Sequence, residues 1–216
     1  MRRLSRALVV AVTAAIAAPA ALSAQEAGAP AFVTDPAKVR SGEYVLDPAH
    51  GKITWSISHL GYSTYIGQFP DVEGTLFLDS RNPEKSRLEV TVRTDSAGTF
   101  HPDLDAHLKT VDFFDVANHP TAEFRSTSIR RTADNKAEIT GDLTLRGVTK
   151  QVVIEAVFNQ AGVNPLDKIY SVGFDGTAVL RRSDFGIEYA LPLLGDEVKL
   201  QIEGEFKYAA EAKKAE

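Results

Sequence analysis

The sequence predicts an all-β chain with one short helix, folded as an antiparallel sandwich or barrel of about eight strands. Three observations carry this. From Glu43 to Tyr208 the apolar residues recur at every second position in short runs. Turn-forming residues separate the runs at short intervals. Only one segment has the three-to-four spacing of a helix. Period-two alternation gives a strand one apolar and one wet face, so such strands bury a single side against a shared interior.

In chain order, Ile53, Trp55 and Ile57 alternate with Thr54, Ser56 and Ser58. Leu76 and Leu78 flank Phe77, and Leu88, Val90 and Val92 alternate with Glu89, Thr91 and Arg93. The series continues through Ile139-x-Gly141-x-Leu143-x-Leu145 and Val152-x-Ile154-x-Ala156-x-Phe158. It closes with Tyr170-x-Val172-x-Phe174 and Val198-x-Leu200-x-Ile202-x-Gly204-x-Phe206. Turns are expected at Asp47-Pro48, Asn82-Pro83, Asp95 to Gly98, Asp134-Asn135, Asn164-Pro165 and Gly195-Asp196. His101-Pro102-Asp103 reads as a helix start, with Leu104, Leu108 and Val111 on one face. Gly61 to Phe69 reads as a loop or a short helical turn.

Outside this region the composition changes. Arg2, Arg3 and Arg6 precede a short apolar run from Ala7 to Ala18. That is the pattern of a cleavable export signal over residues 1–23, with cuts fitting after Ala20 or Ser23. Residues 24–42 read as a flexible leader, 43–208 as the barrel domain, and 209–216 as a disordered tail. Without the three signal arginines, 21 basic residues face 29 acidic ones, a balance of −8. So acidic a chain has no electrostatic reason to seek phosphate backbones, and neither nucleic acid nor stable membrane insertion is expected. Cysteine is absent and the single methionine is the initiator, which excludes disulfides, thiolate nucleophiles and iron–sulfur ligation. No H-E-x-x-H pair, nucleophile elbow, glycine-rich phosphate loop or dinucleotide fingerprint occurs. No metal, cofactor or catalytic residue is therefore expected.

An eight-stranded barrel is either filled by its own side chains or holds one small ligand. Gly141, Ala156, Gly176, Ala178 and Gly204 fall at inward positions near Trp55, Phe124 and Phe174. Small residues there either leave a dry elongated space or mark tight bends; the pattern alone does not choose.

A resemblance does choose. The chain resembles the YceI-like family of lipid- and polyisoprenoid-binding proteins from Tyr44 to about Phe206. The segments that carry it run in order: Tyr44 to His50, Ile53 to Gly61, Gly67-Gln68-Phe69, Gly74-Thr75-Leu76, Leu108 to Asp115, His119 to Phe124, Gly141 to Lys150, and Arg182 to Ile187. The resemblance implies an antiparallel lipocalin-like eight-stranded β-barrel with a packed helix. It also implies a tunnel for an isoprenoid chain such as a polyprenyl phosphate or quinone tail, and a periplasmic location.

On that reading Trp55, Ile57, Phe69, Phe124 and Phe174 are candidate lining residues, joined by Phe185 of the Arg182 segment. For any one of them taken singly, ordinary core is the stronger alternative. Of the consecutive Phe113 and Phe114, one is expected to pack and the other to wall the tunnel. His59 and His107 either hydrogen-bond a head group or tie a loop. Arg182, beside Arg181, either forks onto a pyrophosphate or pairs with Asp184 or Glu188. The expected function is binding of an isoprenoid-type lipid without catalysis. Two alternatives stand beside it: an enzyme acting on an envelope lipid or quinone through His59 and His107, and a stress-related interaction module using the barrel as scaffold. A homodimer is left open.

Overall fold

The computed structural model describes residues 32–214. Nine strands form one sheet: β1 (Gly42–His59), β2 (Ser63–Phe69), β3 (Val72–Leu78), β4 (Arg87–Arg93), β5 (Thr121–Ala133), β6 (Lys136–Leu145), β7 (Val148–Val163), β8 (Tyr170–Arg181) and β9 (Leu194–Tyr208). Helix α1 (Pro102–Leu108) lies between β4 and β5, and a single turn, α2 (Ala209–Ala212), follows β9. Every pairing is antiparallel, and β9 pairs back onto β1. Eight strands thus close a barrel, and β2 adds a ninth outside the circuit. Closure removes the open sheet edges that otherwise invite aggregation.

The long first strand makes this possible. Its beginning, Gly42 to Val45, pairs with Leu78 to Thr75 of β3, and its end, Ile53 to His59, pairs with Phe69 to Ser63 of β2. Its other edge follows β9 from Tyr44 to His59, with breaks in register between Leu46 and Gly51 and between Ile57 and His59. Asp47-Pro48 is therefore a bulge inside one strand and not a boundary between two, and Gly195-Asp196 likewise lies within β9. The Gly61–Phe69 segment, expected as a loop or helical turn, is mostly the strand β2.

The bulge is held by Asp47, whose carboxylate accepts from the Ala49 amide at 3.1 Å and from His50 Nδ1 at 2.9 Å. Lys207 Nζ lies 2.9 Å from the same carboxylate and 3.0 Å from Asp167. Burial pushes the Asp47 carboxyl upward, but the hydrogen bonds from Lys207, His50 and Ala49 outweigh it and hold the group at about 2. A depressed folded-state pKa contributes stability that is complete above the unfolded value of 3.8 and is lost as pH falls towards 2. Asp47→Asn is expected to lower stability by about 2 kcal/mol at neutral pH. The deficit relative to wild type should shrink between pH 4 and pH 2, as followed by urea unfolding at each pH.

Two segments expected to be loose are in place where they are described. Val33 exchanges backbone hydrogen bonds with Ala161 at 2.7 and 2.8 Å, and Val39 is buried. The flexible reading of 24–42 thus fails from Val33 onward. Glu211 in α2 accepts from Arg40 Nη1 and from the Tyr170 amide, both at 2.8 Å, so the tail expected to be disordered begins as an ordered turn. The signal segment 1–23, the start of the leader and the last two residues lie outside the described residues.

Inside the barrel the buried side chains form two clusters, not one. The first holds Tyr44, Leu46, Leu76, Phe158, Val172 and Phe206. The second holds Trp55, Ala97, Leu108, Phe113 and Ile187. The inward residues between them, including Ile53, Val90, Val92, Leu143, Ile154, Leu200 and Ile202, keep part of their surface accessible. Close packing would bury them fully, so the barrel is not filled by its own side chains.

Candidate functional site

The unfilled space lies in two neighbouring parts. One, of about 230 Å³, is bounded by Leu46, Leu76, Leu88, Ile154, Phe174 and Ile202 among others. The other, of about 370 Å³, lies under α1 and the β8–β9 connection and is bounded by Trp55, Ile57, Phe69, Leu108, Phe113, Phe114 and Ile187 among others. Ile53, Val92, Ala122, Leu143, Leu180 and Leu200 border both parts. They are the border that the two parts share within one apolar barrel lumen, the tunnel. Ligand cavities usually occupy roughly 300–1,000 Å³ with mostly apolar walls, and the tunnel has that character.

Two glycines show how closely the wall is fitted. Gly67 stands opposite Trp55 across β1 and β2, and a Cβ there would lie 2.1 Å from the indole Cζ2. The glycine is what lets the indole lie against the sheet. A Cβ on Gly141 would lie 2.4 Å from Phe124 Cζ, so this glycine seats an aromatic ring and does not widen the lumen. Ala156, Gly176, Ala178 and Gly204 do border the tunnel.

The helical end is built by local chemistry. Thr99 donates through its amide and hydroxyl to Asp105 Oδ1 at 2.7 and 2.6 Å, pinning the start of α1. His101 Nδ1 caps it, accepting from the Leu104 amide at 3.4 Å. Leu108 then joins the buried cluster that holds Trp55, and Leu104 packs against that cluster. The helix stops at Leu108, and Val111, expected on its apolar face, is 65% exposed. Beyond Leu108 the chain runs in tight turns, with the Phe114 amide donating to Leu108 O at 3.0 Å. Both Phe113 and Phe114 border the tunnel, Phe113 as a member of the buried cluster and Phe114 partly buried against it.

His107 lies edge-on to Phe113 and Tyr189, at ring distances of 5.0 and 4.9 Å, and its Nε2 is 2.8 Å from Asp112. His59, on the same inward face of β1 as Trp55 and Ile57, borders the tunnel with its ring 5.9 Å from Tyr65. Arg182 is 5% exposed and donates to Gly195 O at 2.8 Å, Ile187 O at 3.0 Å and Leu194 O at 3.2 Å. Neither a fork onto a pyrophosphate nor a pair with Asp184 or Glu188 describes it. It ties the β8–β9 connection to the barrel. Burial pushes its guanidinium pKa down, with Asp196 opposing.

All eleven candidate residues border the tunnel: Phe124 and Phe174 in the smaller part, and Trp55, Ile57, His59, Phe69, His107, Phe113, Phe114, Arg182 and Phe185 in the larger. Sequence reasoning missed Arg146, which donates from Nη1 to Gly186 O at 2.6 Å and from Nη2 to Val111 O at 3.0 Å, joining three loops at this end. Its signal was the Leu145-Arg146-Gly147-Val148 hairpin, where Arg146 and Gly147 have φ of +51° and +74°, the signs a tight two-residue hairpin requires. Also missed were Tyr65, Leu108, Ile187 and Tyr189, which sit outside any clear alternation.

A closed antiparallel barrel around an apolar lumen defines a small-ligand-binding barrel as a class. The family model described as the YceI-like domain matches residues 44–206, and the chain belongs to that family. A "UPF0312 protein" from Pseudomonas savastanoi pv. phaseolicola is 44% identical over 150 residues, covering 68% of this chain and 78% of that one. Among solved structures, BcnA of Burkholderia cenocepacia superposes with a TM-score of 0.68 at 21% identity, covering 74% of this chain and 98% of that one. A polyisoprenoid binding domain from Saccharophagus degradans does so at 0.60 and 10% identity, over 78% of this chain and 99% of that one. Both structural likenesses concern the fold.

Proposed function

We propose that this chain binds one long, apolar, isoprenoid-type lipid along its barrel axis, without chemical turnover, after export to the periplasm. The observation that carries the binding is the pair of apolar spaces of about 230 and 370 Å³ that share six bordering residues, which this reading takes as one tunnel. A ligand spanning both touches the barrel on every side, so affinity is spread over many contacts. Each buried CH₂ contributes roughly 0.8 kcal/mol before immobilisation costs are subtracted. A neighbour of the same fold described as a polyisoprenoid binding domain is in keeping with this reading. Export rests on the basic and apolar pattern of residues 1–23.

Native mass spectrometry of protein purified from its own cell envelope tests the proposal, with organic extraction of whatever is bound. One lipid per chain, with a mass built of isoprene increments, is expected. Protein that is empty as isolated and ignores added polyprenol contradicts the proposal.

A further inference from the structure

The two ends of the barrel differ in what they show to solvent. The β1–β2, β4–β5, β6–β7 and β8–β9 connections share one end, where the larger part of the tunnel lies. Tyr62 and Leu193 are 89% and 65% exposed there, with Leu60, Val111 and Tyr189 also exposed. Single exposed apolar residues are ordinary, but these stand in three connections that the structure ties together. The Leu60 amide donates to Leu193 O at 3.1 Å, and Arg146 donates to both Val111 O and Gly186 O. Tyr189 belongs to the rim and to the tunnel alike, since it also borders the larger part. The apolar wall thus continues from the lumen onto the surface.

Folding does not explain the leucine at this rim. The Tyr62 amide donates to His59 O at 3.0 Å, closing a turn in which Leu60 and Gly61 have φ of +53° and +72°. Glycine, asparagine and aspartate suit positive φ, whereas a leucine there is strained and, left exposed, gains little burial in return. Charge separates the two ends further. No lysine or carboxylate borders the larger part, whereas Asp79, Arg131, Asp134 and Lys136 border the smaller part at the opposite end. Pressing those charges against a bilayer would strip their hydration. In the connections of the apolar end, carboxylates outnumber basic groups, and Arg146 and Arg182 are engaged by main-chain carbonyls. An anionic surface is therefore repelled there and a zwitterionic one is not.

Resting on the reading that the tunnel holds a lipid, we infer that this rim docks on a bilayer surface of zwitterionic phospholipid. Leu60, Tyr62 and Leu193 enter the head-group region, and the tunnel exchanges its lipid through this end. Tyrosine and large aliphatic side chains favour that interface. Docking is transient, because no basic cluster adds attraction to the head groups.

Vesicle flotation tests this on delipidated protein purified from its own cell envelope. The vesicles are phosphatidylcholine alone, or phosphatidylcholine mixed equally with phosphatidylglycerol. Binding to phosphatidylcholine is expected, and the anionic lipid should weaken it at least about threefold. Tyr62→Ser combined with Leu193→Ser should lower partitioning at least about tenfold. Leu166→Ser, also highly exposed but in the β7–β8 connection of the opposite end, should leave it unchanged. Unchanged binding by the double variant, an equal loss from Leu166→Ser, or tighter binding to the anionic vesicles overturns the inference. Because the chain has no cysteine, Tyr62→Cys and Leu166→Cys can each carry one nitrobenzoxadiazole label, which decides the matter should the double variant fail to fold. The label on Tyr62→Cys should shift to the blue on vesicles and the label on Leu166→Cys should not; equal responses overturn the inference. A dimer that the double variant breaks, without vesicle binding, gives the rim to a second copy and overturns it too. If vesicles are ignored but polyprenol is taken up from cyclodextrin, only the docking falls. If polyprenol is ignored as well, the lipid-tunnel reading falls with it.

Discussion

Ala122→Phe is expected to weaken binding of a C40 polyprenol at least about a hundredfold while moving the melting temperature by only a few degrees. Ala122 points inward from β5, is buried, and borders both parts of the tunnel. A ring at this point stands in the shared border and separates one space from the other. A chain confined to one side forfeits the burial of the methylenes that lay on the other, at roughly 0.8 kcal/mol each before offsets. That loss exceeds the roughly 3 kcal/mol equivalent of a hundredfold. The stability cost is small because the added ring enters space the barrel leaves open, unlike the overpacking of a dense core. Short polyprenols that fit one part should keep most of their affinity. Calorimetric titration with C10 and C40 polyprenols, beside thermal unfolding, checks both halves of the expectation.

Arg182→Met is expected to destabilise the folded chain by about 3 kcal/mol, close to a 10 °C fall in melting temperature for a protein of this size. The guanidinium is the shared partner of three carbonyls from the segment between Ile187 and Gly195. Methionine fills much of the same volume but leaves those acceptors unpaired. Arg182→Lys retains the charge, yet one ammonium does not reproduce the planar fork, so a loss of about 2 kcal/mol is expected. Urea unfolding of the three proteins at neutral pH measures the order. Were Arg182 chiefly a head-group ligand, both variants would lose affinity and keep their stability.

The barrel was legible because its strands have one wet and one apolar face. The runs at Leu88 to Val92, Ile139 to Leu145, Val152 to Phe158 and Val198 to Phe206 each put their alternate residues on the lumen, as the alternation requires. What escaped depends on partners distant in sequence. Asp47-Pro48 has the composition of a turn, but Lys207 holds the Asp47 carboxylate and keeps the strand running through it. In β2 a glycine sits at the centre of the inward face and Ile66 is exposed outside it; the glycine is explained only by the Trp55 indole opposite.

The site was legible as a set of side chains more than as a set of roles. Phe174 stands where alternation puts it, whereas Phe69 and Phe124 came from the segments of the resemblance and prove to lie on the inward faces of β2 and β5. Phe113 and Phe114 defeated a periodic reading because the helix ends at Leu108 and tight turns aim both rings inward. The readings for Arg182 considered a phosphate or a local carboxylate, whereas its partners are main-chain carbonyls of a loop. No residue type in the sequence marks a carbonyl as needing a guanidinium, so this role became visible only with the loop in place.

The central claim, that both parts of the lumen form one tunnel for a single long chain, is tested most directly by a length series. Dissociation constants for C10, C20, C30 and C40 polyprenols should be measured on delipidated protein under one set of conditions. Affinity is expected to rise at least about tenfold with each ten carbons until the tunnel is filled, since each increment buries further methylenes. Affinity that does not change with chain length would contradict the claim and leave the lumen as unoccupied space inside a scaffold.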